Sequence, residues 1–274
     1  MPLDVVREVE RELDAAGVPS PRVDAEILVA EVLGLARSEL YASGRDVTHF
    51  ELRRLRPLVA RRVAREPLAY VLGEWGFRRL ALRIDGRALV PRPETEVVVE
   101  RCLAWLRDLE APRVLDVGVG SGAIALAIAD EHPGASVLGV ERSAATLVLA
   151  RENFARLSAD GRVRLAEGDL LAGVEGAFDL VVSNPPYVTP EEYEMLQPEI
   201  RLYEPRDALV GEGVGEAIAG QARSVLRAGG RLVLECGDGQ APALAASLSG
   251  LGYAEVVQTP DLAGRPRVVE ATWP

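Results

Sequence analysis

The stretch VVSNPPYVTP, Val181 to Pro190, ends an apolar run on an asparagine, two prolines and a tyrosine. Those residue types in that order suit the handling of a planar NH2 group. The nitrogen of an amide or exocyclic amine has its lone pair delocalised into the π system and is a poor nucleophile. A catalyst must hold the NH2 and aim the lone pair at an electrophile. Two acceptors are wanted, one for each N–H. The Asn184 side-chain oxygen supplies one and the Pro185 backbone carbonyl the other. Accepting those bonds also stabilises positive charge developing on nitrogen. Pro185 and Pro186 fix φ and remove N–H donors, which keeps the acceptors rigid. Tyr187 offers a flat face to a planar amide or base. No general base is required beforehand, because the nitrogen loses its proton more easily once substituted. The bland alternative is a strand ending in a proline-rich turn.

A second motif, DVGVGSGA from Asp116 to Ala123, follows one apolar segment and opens another. Glycines let backbone approach a ligand closely, and a helix N-terminus offers free N–H groups. Alone this is weak: Gly118, Gly120 and Ala123 also satisfy the loose dinucleotide pattern. Glu141, at the end of the next apolar segment, suits ribose hydroxyls in a dinucleotide enzyme or an S-adenosylmethionine enzyme. Asp116 is placed to face a cationic amino group, or equally to satisfy loop N–H groups. Asp169, in EGD, is placed to accept from an adenine amino group, or is an ordinary turn aspartate. A nicotinamide enzyme has no evident use for Asn-Pro-Pro-Tyr. Methyl transfer from a sulfonium to a planar nitrogen does.

The elements that must position these residues follow from periodicity. Val5, Val9 and Leu13 recur at helical spacing until Gly17. Ser20 and Pro21 start a second helix, whose face through Val23, Ile27 and Ala30 ends at Gly34. Thr48 and Glu51 form a capping box for a third, which Pro57 is expected to kink or divide. Arg53, Arg54, Arg56, Arg61, Arg62 and Arg65 make this the one basic stretch, a solvated face or a contact surface. From about Leu72 to Val90, short apolar pieces broken by glycine suggest a hairpin joining two domains. A helix is expected through Val97 to Leu109. From Arg113, strands RVLDVG, ASVLGV, RVRLAEGD, FDLVVSN, GRLVLECG and RVVEATW are separated by helical segments, including Ser143–Leu157, Gly215–Arg227 and Gln240–Leu248. Such alternation predicts an α/β, mostly parallel, doubly wound sheet. Ligands bind such sheets beyond the C-terminal strand ends, which puts Gly118, Glu141, Asp169 and Asn184 along one rim.

The chain has 274 residues, 48% of them hydrophobic and 27% charged, enough for one large domain and one small one or for two of medium size. Cys102 and Cys236 lack metal-ligand spacing, so neither a disulfide framework nor a metal site is expected. The charged N-terminus lacks a signal peptide's apolar core, and no apolar run is long enough to span a bilayer, which predicts a cytoplasmic protein. Acidic residues outnumber arginines 42 to 31 for a net charge of −11, and lysine is absent. That balance argues against a grip on long nucleic acid.

The sequence resembles the protein glutamine N5-methyltransferases of peptide-chain release factors, the PrmC/HemK family. The resemblance runs through PRVDAEILV, REPLAYVLGEWGF, LVPRPETE, LDVGVGSGAIALA, VSNPPY, PEIRLYEPRDAL and DLAGRPRVV. It implies a seven-stranded Rossmann-like S-adenosylmethionine-dependent domain at 93–274, a helical substrate-docking domain at 1–72 and a hairpin linker at 73–92. It also implies a class 1 release factor as substrate, methylated on the glutamine of its Gly-Gly-Gln loop. Gly118, Val119, Gly120, Ser121 and Gly122 correspond to the cofactor loop, Glu141 to the ribose-binding acid, and Asp169 with Leu170 to the adenine side. Asn184, Pro185, Pro186 and Tyr187 correspond to the glutamine clamp, with Arg92 and Glu94 near the substrate entrance. Val119 stands where threonine is common, Glu141 where aspartate is common, and Arg142 where a small or apolar residue is common. A monomer without membrane or stable nucleic-acid partners is the expectation. The alternative is a methyltransferase for an exocyclic amine in RNA or DNA, using the same clamp.

Overall fold

A proline opens each of the first two helices. In the computed structural model, which describes residues 1–157 and 161–274, α1 spans Pro2–Ala15 and α2 spans Pro21–Leu33. Ser20 stands at the α2 N-cap, Pro21 opens the helix, and Gly34 closes it in the left-handed conformation. The buried face of α2 differs in part from the expected one. Ala30 is buried and Ile27 half-buried as expected, but Val23 is exposed, and burial also takes in Ala25, Leu28, Val29 and Val32. The helix is apolar on several sides, so spacing alone did not select the inward one. A short α3 (Glu39–Ala42) comes next and was not anticipated. The capping box of Thr48 and Glu51 opens α4 (His49–Val63), and α5 (Leu68–Leu72) follows. Pro57 does not divide α4. Its missing N–H costs one backbone bond, and burial of Leu55 and Val59 offsets that cost by about 2 kcal/mol per side chain.

The hairpin is antiparallel, β1 (Glu74–Phe77) against β2 (Leu80–Arg83). Next come α6 (Pro93–Leu106), β3 (Arg113–Val117), α7 (Ala123–Glu131), β4 (Ser136–Glu141), α8 (Ala144–Leu157), β5 (Val163–Glu167) and β6 (Phe178–Ser183). A Thr189–Glu192 capping box starts α9 (Pro190–Glu194), and α10 spans Pro198–Tyr203. The chain ends with α11 (Val214–Ala222), β7 (Leu226–Glu235), α12 (Ala241–Gly250), β8 (Ala254–Pro260) and β9 (Pro266–Thr272). The seven-stranded sheet has the order β5-β4-β3-β6-β7-β9-β8. Its first four pairings are parallel, and those of β7 with β9 and β9 with β8 are antiparallel. The edge strand β8 escaped the sequence reading because most of its residues face solvent, leaving no apolar alternation to find.

The chain forms two compact units, Met1–Gly73 with Leu196–Tyr203, and Glu74–Met195 with Glu204–Pro274. The hairpin therefore belongs to the second unit, and α10 to the first. Within the first, Arg62 donates from Nε to Asp24 at 2.7 Å and from both terminal nitrogens to Glu199 at 3.0 Å. Arg65 donates twice to Glu199, both at 2.6 Å. Arg56 pairs with Glu8 and Glu12, and Arg61 with Glu66. The basic stretch is thus largely neutralised inside its own unit. In the second unit, α6 and α7 cover one face of the sheet with Val98, Cys102 and Ile128, while α11 and α12 cover the other with Ile218 and Leu244. Order reverses at β3, whose neighbours are β4 and β6, and this switch point opens a cleft beyond the strand ends.

Candidate active site

Beyond Val117 the chain turns through Gly118 at φ +74° and Gly120 at φ +56° before entering α7. These left-handed angles favour glycine. The N–H groups of Gly118 and Val119 both donate to the Val140 carbonyl, at 2.8 and 3.0 Å, which ties the loop to β4. A Cβ on Gly118 would meet no atom of the described residues within 4 Å, so the loop presents open backbone. One on Gly122 would lie 2.5 Å from the Phe154 ring, so that glycine serves packing against α8. Val119 is buried against Gly139. Glu141 accepts from the Ser143 N–H at 2.9 Å and the Gly120 N–H at 3.2 Å. Both bonds fix its carboxylate on the cleft wall, with lone pairs remaining for hydroxyl donors.

Asp116 is buried, and its Oδ2 accepts from the Ala125 N–H at 3.1 Å, in the first turn of α7. Its Oδ1 has no hydrogen-bond partner among the described residues. Burial pushes this carboxyl up to about 7, the Ala125 N–H opposes the rise, and the Glu141 charge adds to it. Of the two roles open to it, the structure places Asp116 on the backbone rather than on the cleft wall.

The Asn-Pro-Pro-Tyr turn is held from several sides. Ser183 donates to the Val117 carbonyl at 2.6 Å. Val188 N–H donates to Leu209 at 2.9 Å, and Gly211 N–H donates to Val188 at 3.2 Å. Gly211 is needed there, since a Cβ would fall 2.9 Å from Pro186 Cγ. The Asn184 Nδ2 donates to Thr95 Oγ1 at 3.1 Å, and the Thr95 hydroxyl donates to Glu235 Oε2 at 2.7 Å. Tyr187 donates its hydroxyl to Glu235 Oε1 at 3.2 Å, while Gln240 Nε2 donates to the Tyr187 carbonyl at 2.9 Å. With its NH2 engaged by Thr95, Asn184 keeps its oxygen free to accept, and the residue lines the cleft. Burial pushes Glu235 up to about 7. The Thr95 and Tyr187 hydrogen bonds and Arg267 oppose this, and Glu94 adds to it. Burial and the Glu235 charge also raise the Tyr187 phenol.

The cleft encloses about 1100 Å³. Of the residues singled out by sequence, Gly118 to Ser121, Glu141, Asp169, Leu170, Asn184 to Pro186 and Arg92 line it. Asp116, Gly122, Tyr187 and Glu94 do not. Arg92 is bound at 2.6 Å by Glu204, a carboxyl that burial raises and Arg92 pulls down. Glu94 sits half-buried in the first turn of α6. Arg142 reaches across to the Asp207 carbonyl at 3.2 Å. Sequence reasoning missed Thr95 and Glu235. Thr95 lies inside the PRPETE segment already singled out, and Glu235 is a lone carboxylate at the C-terminal end of a buried strand.

Residues 4–73 match the family described as PrmC N-terminal domain, and residues 99–202 the family described as methyltransferase small domain. The chain is 42% identical over 275 residues to the release factor glutamine methyltransferase of Deinococcus radiodurans, across 98% of this chain and 97% of that one. It is 38% identical over 263 residues to the protein of the same name from Caulobacter vibrioides, across 94% and 91%. Among solved structures, a methyltransferase from Pyrococcus furiosus matches with a TM-score of 0.53 and 20% identity, covering 81% of this chain and 98% of that one, a likeness of fold. Identity of this level over nearly the whole length, on a sheet whose switch-point cleft joins the glycine loop to the Asn-Pro-Pro turn, shows that the chain belongs to the release factor glutamine methyltransferase family.

Proposed function

We propose that this protein transfers the methyl group of S-adenosylmethionine to the side-chain amide nitrogen of a glutamine in a peptide-chain release factor. In class 1 factors that residue is the glutamine of the Gly-Gly-Gln loop. The orientation of Asn184 carries the reading: its NH2 is held by Thr95, so its oxygen is the group available to an amide N–H. The near full-length likeness to relatives named for this activity supports the substrate.

The cleft fits the proposed methyl donor. Gly118 leaves space where a side chain would stand, and Glu141 offers a fixed carboxylate to ribose hydroxyls. Asp169 and Leu170 are assigned to the adenine side. When bound, S-adenosylmethionine supplies an electrophilic sulfonium methyl. The chain's own task is then orientation. Asn184 Oδ1 and the Pro185 carbonyl accept the two amide hydrogens, fix the NH2 plane and direct its lone pair. As nitrogen gains positive charge, the same two bonds strengthen. Tyr187 holds the turn through its hydroxyl and carbonyl bonds, and the first unit is assigned to recognition of the release factor.

Methyl transfer from labelled S-adenosylmethionine to purified release factor, beside a factor whose loop glutamine is alanine and beside RNA and DNA, tests the proposal. Label on the native factor alone is expected. Label on nucleic acid alone would keep the clamp chemistry and overturn the substrate.

A further inference from the structure

An asparagine amide holds its oxygen and nitrogen in near-identical positions, so its orientation must be imposed by neighbours. Asn184 is the acceptor in the proposed reaction only if its oxygen faces the cleft. The group that imposes this lies two bonds away. We propose that Glu235 is a positioning residue that sets the polarity of the Asn184 amide through the Thr95 hydroxyl. The inference rests on Asn184 as the amide acceptor.

Proton counting carries it. Thr95 has one hydroxyl proton, and a Glu235 carboxylate offers only acceptors. The proton therefore goes to Glu235 Oε2, at 2.7 Å. Thr95 Oγ1 is left as an acceptor, and the group it can accept from is Asn184 Nδ2, at 3.1 Å. Asn184 Oδ1 is directed to the cleft as a consequence. The second carboxylate oxygen is occupied by the Tyr187 hydroxyl, at 3.2 Å. Glu235 thus fixes both ends of the Asn-Pro-Pro-Tyr turn. Protonation of Oε2 reverses the relay. The carboxyl then donates to Thr95, the Thr95 proton turns to Asn184 Oδ1, and Nδ2 swings into the cleft. There it meets the N–H donors of the substrate amide, and the clamp repels what it should hold.

The groups acting on Glu235 come from four elements: Thr95 and Glu94 on α6, Tyr187 on the turn, Arg267 on β9, and the adjacent Cys236 thiol after β7. Burial and Glu94 favour the proton, whereas Arg267 and the two hydroxyl bonds favour the carboxylate. Their balance holds the group at about 7, so the relay reverses near neutral pH.

The test measures kcat and KM on intact release factor between about pH 6 and about pH 8.5 for wild type, Glu235→Gln, Thr95→Val and Asn184→Ala. In wild type, kcat is expected to fall as pH drops through about 7. Glutamine donates as well as accepts, so Glu235→Gln is expected to lose about tenfold or more in kcat with a flat profile. S-adenosylmethionine affinity should stay within about threefold. Thr95→Val, which keeps the carboxylate and removes the relay, is expected to show the same flat, slow profile. It also guards against misfolding of the Glu235 variant. Wild-type kcat in both variants overturns the inference. So does an acid limb that persists in Glu235→Gln, since Asp116, also at about 7, would then own it. An inactive Asn184→Ala beside unaffected Glu235→Gln and Thr95→Val sinks the relay alone. A fully active Asn184→Ala sinks the acceptor reading and the relay with it.

Discussion

At the scale of single residues, the proposed reaction separates binding and chemistry onto different carboxylates and amides. Asn184→Ala removes one of two acceptors for the developing charge, and kcat should fall about 10²- to 10³-fold with little change in S-adenosylmethionine affinity. Glu141→Ala removes a charged acceptor and frees the Gly120 and Ser143 N–H groups it holds. Affinity should fall about ten- to a hundredfold, with kcat at saturation nearly kept. Calorimetric titration beside turnover assays checks both, and equal effects on the two parameters would contradict the assigned roles. Stability should also respond to pH near neutrality. Asp116 and Glu235 are held at about 7, above the ordinary carboxylate range, so the folded state binds protons there that the unfolded chain has released. Their contribution to stability is therefore present at low pH and is lost as pH rises through about 7. The unfolding temperature should decline from mildly acidic to mildly alkaline buffer, with a smaller slope in Glu235→Gln; an unchanged slope in that variant would argue against a raised Glu235.

At the scale of elements, the glycine loop depends on how closely the start of α7 packs against α8. Gly122 combines φ +92° with a Phe154 ring where a Cβ would stand, so Gly122→Ala forces both backbone strain and overpacking. A loss of about 2–4 kcal/mol is expected from a denaturant melt, with the glycine loop displaced as a result. In the first unit, Arg62 is buried between Asp24 and Glu199. Arg62→Ala leaves two buried carboxylates short of a partner and should cost about 3–5 kcal/mol, read by thermal unfolding. An exposed arginine would cost far less, so a shift of under a degree or two would show that the cluster is not structural.

At the scale of the whole molecule, charge bears on which partners the surface suits. The net charge is −11, and most arginines of the Arg53–Arg65 stretch pair with acidic residues of their own unit. Gel-shift titration with structured RNA at about 0.15 M salt is therefore expected to give no retained complex. A salt-sensitive complex would reopen the nucleic-acid alternative.

What the sequence by itself determined is what is encoded over a few consecutive residues. The helix start at Pro21, the capping box of Thr48 and Glu51, the glycine loop and the Asn-Pro-Pro-Tyr turn are local chemistry, legible because backbone geometry fixes which residue types can stand there. The rim that joins Glu141 to Asn184 was also foreseeable, because a parallel sheet delivers its strand ends to one side. Only the tertiary structure decided what lies under the rim. Thr95 and Glu235 are 140 residues apart, and neither announces a role until α6 is packed on β7. The inward face of α2 and the place of α10 were set likewise by neighbours. Burial then did what no motif records: it lifted a strand-end glutamate to about 7, and in the proposed relay that glutamate sets which atom of Asn184 faces the cleft.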